Sequence, residues 1–427
     1  MKKENKKRIW LRLDNAAKIF PASMRSSWSN VFRLSVSFRE NVDPEALTRA
    51  AVRVAKRFPS VCVRLGTGLF WYYLEESKQA PQIREEGCQP LLPMRKKEMS
   101  RIAVRVLYYE NRLAVEFFHA LTDGSGAMVF IKTLAAIYLE ECYGVAFYDG
   151  EGVLFPDSEP DAEELEDAFL RYAGPTAAKR TIPYAFHLTG EPEPDGFLHV
   201  TCGTLSCAQI LAAAKEKGVS LTTYLSAALC LALEKIQQRR VAPAKEKAVR
   251  VQIPVNLRKH FPSRTLRNFV AVYNVGMEKG ETDAEFDEIL SRIHHQMALY
   301  NTPRNLRAVF TANVNSEKGM AIRLVPLFLK NIVMRAVFDR VGESLACLCL
   351  SNLGPVKLPK GMEEYVTGFD FIIGPQAKAP YNCGVVSYGD KLRIHLVRNT
   401  VEPELEREFF TFLSSQGLDV TLESNER

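Results

Sequence analysis

The chain has 427 residues and carries 56 Lys and Arg against 50 Asp and Glu, a net charge of +6. With 47% hydrophobic and 25% charged residues it is excluded from the disordered class, and its length provides for about two core-forming units. Nine cysteines and seven histidines without a CxxC pair do not make an array of metal fingers, and so mild a surplus of charge demands neither nucleic acid nor a membrane. The basic N-terminus is followed by no apolar run of signal-peptide length. Lys132, Lys330 and Arg335 interrupt the most apolar stretches before these reach the ~18 residues of a spanning helix. The cysteines are odd in number and sit mostly among Ala, Leu and Val, so the expectation is a reduced, cytoplasmic protein with no transmembrane segment.

Strand and helix signals alternate along the chain. Residues 32–38 alternate apolar and polar like a half-buried strand, and Asp43-Pro44 then caps a helix over 45–58. Strands are expected at 61–65 and 70–74, a hairpin at 102–108 and 113–118, and an apolar helix at 126–142. Residues 149–170 hold nine acids, Asp149 among them, and no Lys or Arg. With the prolines that follow, they read as a crossover over about 149–196 with a solvated acidic face. The pattern then restarts: a strand at 198–204, helices at 208–217 and 222–237, strands at 249–254 and 270–275, and helices at 283–300 and 319–338. Within the last of these, residues 324–338 read as a core helix ahead of an interfacial one, although the segment would suit a lipid-like acceptor. Strands at 345–350 and 365–373, a hairpin at 384–388 and 392–397, and a helix at 404–413 complete the chain. Residues 109–115 align with 388–394, a register that sets His119 against Arg398 and Asp123 against Glu402. The chain therefore reads as a duplicated α/β unit, with a first lobe over 1–170 and a second over 171–427.

Chemistry concentrates in Phe117-Phe118-His119-Ala120-Leu121-Thr122-Asp123-Gly124-Ser125-Gly126, between a strand and a helix. A histidine at a strand end projects from a rigid element, and imidazole is the natural general base near neutral pH. Asp123 and Gly124 turn the chain into the helix; the plain alternative is a core histidine beside an N-cap aspartate. A basic region (Arg239, Arg240, Arg250, Lys259 and Arg264 among others) offers phosphate ligands or a solvated face. His294 and His295 point about 100° apart on a helix, and Cys347 and Cys349 lack companions, so no metal site is expected.

His119-x-x-x-Asp123-Gly124, Asp43-Pro44, Arg57-Phe58-Pro59, Val255-Asn256-Leu257-Arg258 with Arg267-Asn268-Phe269, and Ser351-Asn352-Leu353-Gly354 occur in order. On these the chain resembles the chloramphenicol-acetyltransferase-like superfamily of CoA-dependent acyltransferases, most closely its stand-alone alcohol acetyltransferase-like members. The resemblance implies two similar α/β lobes forming a pseudo-dimer around a central tunnel. It implies His119 as the base for direct attack of a hydroxyl or amine on an acyl thioester, with no acyl-enzyme. It makes Asp123 structural, with Arg258 as its partner, and Ser351, then Asn352, the oxyanion donor. Phe118 replaces the first histidine of the family motif. Cys62 stands where condensation domains place an arginine, with Arg64 the nearest substitute. The implied co-substrate is acyl-CoA, with no permanently bound cofactor and no metal. The partners are a small alcohol or amine acceptor, the chain acting as a monomer. The rival readings are an enzyme fed by an acyl carrier protein and a non-catalytic binding protein that retains the fold.

Overall fold

The structure, a computed structural model, describes residues 8–25, 30–87, 89–148, 150–176, 183–281, 284–316, 324–376 and 378–426. Cys88, Asp149, residue 283 and the expected helical start at 319–323 lie outside the described residues. The strands are β1 (Trp10–Arg12), β2 (Val31–Phe38), β3 (Val63–Thr67), β4 (Tyr72–Glu76), β5 (Ile83–Glu85), β6 (Val104–Tyr109), β7 (Arg112–Phe118) and β8 (His199–Ser206). They continue as β9 (Val249–Asn256), β10 (Val270–Met277), β11 (Leu348–Pro355), β12 (Val366–Ile373), β13 (Tyr381–Tyr388), β14 (Lys391–Arg398) and β15 (Thr421–Ser424). The helices are α1 (Ile19–Ser23), α2 (Pro44–Arg57), α3 (Lys96–Met99), α4 (Gly124–Tyr143), α5 (Ala168–Tyr172) and α6 (Cys207–Glu216). After them come α7 (Leu221–Arg240), α8 (Phe286–Tyr300), α9 (Pro303–Ser316), α10 (Leu327–Val337) and α11 (Glu404–Ser415).

Local chemistry explains the first elements. Asp43 Oδ1 accepts from the amides of Glu45 (2.8 Å) and Ala46 (3.3 Å), and Pro44 fills the first helical position, so α2 starts where the sequence places it. Its buried Leu47, Ala50 and Val54 follow helical spacing and face α4. That helix is apolar on all sides, and it is buried between α2 and the first sheet.

Two sheets carry the fold. The first runs β12-β2-β7-β6-β5 and the second β10-β9-β11-β13-β14-β8-β15; β1, β4 and β3 form a small third sheet. The duplication is visible in strand order. In the first sheet β2, β7 and β6 are antiparallel neighbours and β5 joins β6 in parallel. In the second, β8, β14 and β13 repeat the arrangement, with β11 parallel to β13. The chain is thus a mixed α/β protein of two similar lobes.

Chain order and lobe membership part company at β12. It pairs with β2 across Phe369↔Val36 and Phe371↔Leu34, so a strand from the second half forms an edge of the first sheet. A single cut near residue 170 does not separate the two sheets. Asp370 on β12 meets His395 Nε2 (3.0 Å) and Arg393 Nε (2.7 Å) on β14, tying the lobes together through an ionic cluster in which His395 is buried and the other two side chains are partly buried.

Two further expectations change. The 319–338 segment is not a core helix. Its described part, α10, buries only Leu327 and Lys330 and leaves Phe328, Ile332, Val333 and Val337 exposed, because it walls a cavity instead of capping a packed sheet. The acidic crossover is not purely solvated either. Glu164 is buried in a two-pronged pair with Arg57 (2.7 Å on each prong).

The interlobe cluster sets a pH dependence. Burial pulls His395 down, but Cys202 and Asp370 outweigh it and push its pKa up to about 9. A histidine raised on folding contributes stability that is complete below its unfolded value near 6.5 and is lost as pH rises through about 9. Urea midpoints of the wild type are expected to fall by an amount worth about 1–3 kcal/mol between pH 7 and 10. In His395→Asn that slope should flatten.

Candidate active site

His119 follows the last residue of β7, and its amide donates to the Asn30 carbonyl (2.9 Å), which extends the strand by one position. The ring stacks on Phe20 (centroids 4.3 Å apart, 16° between planes) and meets the edge of Phe32 (5.0 Å). Its remaining surface borders a cavity of about 1150 Å³ lined from both halves of the chain. Asn268 in the second half places Oδ1 3.2 Å from His119 Nδ1, while its Nδ2 donates to Asp14 Oδ2 (3.3 Å). With the amide nitrogen spent on Asp14, Oδ1 is the acceptor. The imidazole hydrogen therefore sits on Nδ1, and Nε2 keeps its lone pair. Burial lowers the pKa of His119 below its ordinary value; its own main-chain group, Asp123 and Asn268 oppose the shift without reversing it. Burial likewise raises the Asp14 carboxyl, against the pull of Arg267 at 3.7 Å.

Asp123 borders the same cavity, but both of its oxygens are spent on structural partners. Oδ1 accepts from the amides of Ser125 and Gly126 (3.0 Å each), capping α4. Oδ2 accepts from Arg258 Nη1 (2.8 Å) and the Phe269 amide (2.8 Å), both in the second half. Arg258 also donates to the carbonyls of Thr265 (2.9 Å) and Arg267 (2.6 Å) and to Asn256 Oδ1 (3.2 Å). Gly124 leaves room for Leu353: a Cβ there would stand 2.5 Å from its side chain. At Gly126 a Cβ would run into the Leu266 carbonyl and the Thr122 hydroxyl, so this turn of α4 is seated directly on the second half. Thr122 Oγ1 donates to that same carbonyl (2.6 Å).

Ser351 and Asn352 line the cavity, but inside β11, at a break in its register with β13, and not in a turn after the strand. Asn352 donates to Thr222 Oγ1 (3.2 Å) and accepts from the Gly354 amide (2.8 Å). Arg64 is elsewhere, paired with Glu75, and Phe118 is fully buried. The basic region is largely consumed in pairs: Arg239–Glu408 (2.8 Å), Arg240–Glu404 (2.7 Å), Arg250–Glu278 (2.5 Å) and Arg264–Asp161 (2.8 Å). Lys259 and His260 line the cavity.

A model of the alcohol acetyltransferase family matches residues 193–321. An uncharacterized protein of Mycobacterium tuberculosis is 25% identical over 295 residues. The match covers 66% of either chain, just under two thirds of that relative's length. Polyketide synthase associated protein 5 from M. tuberculosis aligns over 95% of this chain and 96% of its own, with TM-score 0.60 and 16% identity. The starter condensation domain of rhizomide synthetase, solved with C8-CoA, aligns over 95% and 94% (TM-score 0.62, 14% identity). An F. sporotrichioides protein solved with coenzyme A and T-2 aligns over 98% and 100% (TM-score 0.61, 11% identity). The chain has the chloramphenicol-acetyltransferase-like fold.

In this fold the candidate site is assembled from both lobes, and two of its members escaped sequence reasoning. Asn268 stood inside a quoted motif without a role, and Asp14 lies outside every motif. Their shared signal is a buried polar side chain that reaches the ring from a distant part of the chain, which spacing does not disclose. Cys202, Asp370 and His395 form a group of metal-ligand type, but Arg393 already supplies the cation at Asp370. Asp123→Asn leaves Arg258 facing an amide in a buried setting. It is expected to cost about 3–5 kcal/mol of unfolding free energy, read from urea titration.

Proposed function

We propose that this chain is an acyltransferase that moves an acyl group from acyl-CoA to a hydroxyl or amine acceptor by direct attack, with His119 as general base. The observation that carries the reading is the state of the ring. It is held neutral by burial, its Nδ1 hydrogen is committed to Asn268, and it borders a cavity large enough for two substrates. The alcohol acetyltransferase match and the CoA-bound relatives of the same fold support the choice of donor.

In this reading the acceptor hydroxyl gives its proton to Nε2 as its oxygen adds to the thioester carbonyl. The tetrahedral intermediate collapses by breaking the C–S bond, and the imidazolium returns the proton to the departing thiolate. Nothing is bonded to the enzyme. Ser351 is the favoured oxyanion donor, since Asn352 is engaged by Thr222 and Gly354; one such donor is worth about 3 kcal/mol in the transition state. Asp123 holds the geometry and Asn268 positions the ring. Lys259, which lines the cavity together with Lys18 and Lys330, is suited to a donor phosphate.

Acetyl-CoA with a panel of alcohols and amines, followed by thiol release, tests the assignment. Acceptor-dependent release is expected to fall by at least ~100-fold in His119→Ala. Equal rates in the two proteins would remove His119 from the mechanism.

The lowered pKa places the acid limb of kcat/KM below about pH 6.5. Asn268 stabilises the charged ring, so Asn268→Ala is expected to move that limb to still lower pH while reducing kcat. A limb that stays in place would mean that Asn268 does not hold the ring.

A further inference from the structure

The cavity does not open onto an ordinary surface. Val333 and Val337 both line it and are 61% and 51% exposed, so α10 forms an apolar lip at its mouth. One helical turn around the same helix, Phe328 and Ile332 are each 66% exposed and face outward. The patch continues onto the β3–β4 hairpin, where Leu69 is 73% exposed and its carbonyl accepts from the Leu327 amide (2.9 Å). Soluble surfaces scatter single apolar residues; a contiguous ridge of this kind marks a binding face.

Charge narrows the occupant. The cation of α10 on this face, Lys330, is withdrawn: its Nζ lies 3.5 Å from the centroid of the Trp71 ring and donates to the Phe70 carbonyl (3.0 Å). Cations instead gather at the far end of the helix. Arg335 donates to the Met24 carbonyl (2.8 Å), Arg25 pairs with Asp339 (2.8 Å), and Lys378 donates to the Asp339 carbonyl (2.8 Å). Arg340 is exposed next to Asp339 in the sequence, while the acid that follows, Glu343, is buried. An apolar ridge flanked by basic residues matches the interface of an anionic lipid layer, with hydrocarbon beneath and charged headgroups around. No single described helix is long and apolar enough to cross such a layer.

We propose that α10 seats this protein on an anionic lipid surface, from which a long-chain aliphatic acceptor enters the cavity past Val333 and Val337. This rests on the acyltransferase reading for its chemistry, but the docking face stands on its own observations. The size of the cavity agrees with it, since about 1150 Å³ exceeds the roughly 300–1,000 Å³ of pockets built for drug-sized molecules.

Phe328→Glu/Ile332→Glu tests the proposal, because both side chains point outward and neither lines the cavity. The wild-type chain is expected to co-sediment with vesicles of phosphatidylcholine containing about one third phosphatidylglycerol, and the double variant to lose that binding by at least ~10-fold. With acetyl-CoA as donor, transfer to cetyl alcohol held in the vesicles should fall in parallel, while transfer to a short alcohol in solution stays within about twofold. Wild type that ignores the vesicles yet acetylates the short alcohol would overturn the docking face and leave the acyltransferase reading intact. Vesicle binding lost in the variant, with no transfer by either protein, would keep the docking face and sink the chemistry. A wild-type dimer that becomes monomeric in the variant, with no vesicle binding by either, would assign the ridge to a second copy of the chain and overturn the proposal.

Discussion

The site depends on one carboxylate. Asp123 offers about four acceptor positions, and all four are taken: two by the amides that open α4, one by Arg258 and one by the Phe269 amide. Half of its bonding is local and half crosses to the second lobe, so one carboxylate both caps α4 and ties its start to that lobe. The same arrangement leaves the carboxylate no position from which to accept a substrate proton. Its charge is answered by Arg258, whose other donors are absorbed by Thr265, Arg267 and Asn256. Removing either member leaves a buried ion uncompensated, which is the costly way to disturb such a pair.

Around that pair, residues 256–269 work as a clasp. Thr122 and Leu266 bind main chain to side chain, Asn256 Nδ2 donates to Ser125 Oγ (2.8 Å), and the Leu266 amide donates to the Glu164 carbonyl (2.9 Å). The far side of the seam is closed differently, by β12 joining the first sheet and by Asp370 gripping β14. Two fastenings, one on each side, hold a cavity open between the lobes, and the first core also takes in Val386 of β13 and Val397 of β14 across the seam. A hollow of this size forfeits packing, and the buried hydrogen bonds and ion pairs along the seam fix the lobe positions that packing would otherwise fix.

Much of this was legible before any coordinates. The α2 cap, the β6–β7 hairpin, α4 and the β13–β14 hairpin are local patterns, and each lies where periodicity and capping residues put it. The Asp123–Arg258 contact was named from the resemblance and is present at 2.8 Å. What sequence could not disclose is non-local. The strand at 366–373 was recognised as a strand, but nothing in its alternation says which sheet it joins. The strand expected at 345–350 runs on instead through Ser351 and Asn352 to Pro355, paired with β13 and with a shift of register between Asn352 and Pro355. The apolar run at 324–338 favours a core helix over an interfacial one on composition alone, because apolar residues are usually buried. Its described helix instead borders empty space on one side and solvent on the other. Helix α9 was missed although Leu306, Phe310 and Val314 recur every four residues behind Pro303.

The distribution of hydrogen-bond partners also separates scaffold from chemistry. Asp123, Arg258, Asn268 and Asn352 are each held by several partners, which suits parts that must not move. His119 is held on one nitrogen only, between two aromatic rings that fix its plane without offering a strong acceptor or donor. A ring clamped in this way would need little reorganisation to take a proton at Nε2, the role proposed for it, and burial favours its neutral form. Phe118, one position earlier on the strand, is fully buried in the first core, where a histidine would have to be partnered; the His119 ring is fixed without it, by Phe20, Phe32 and Asn268.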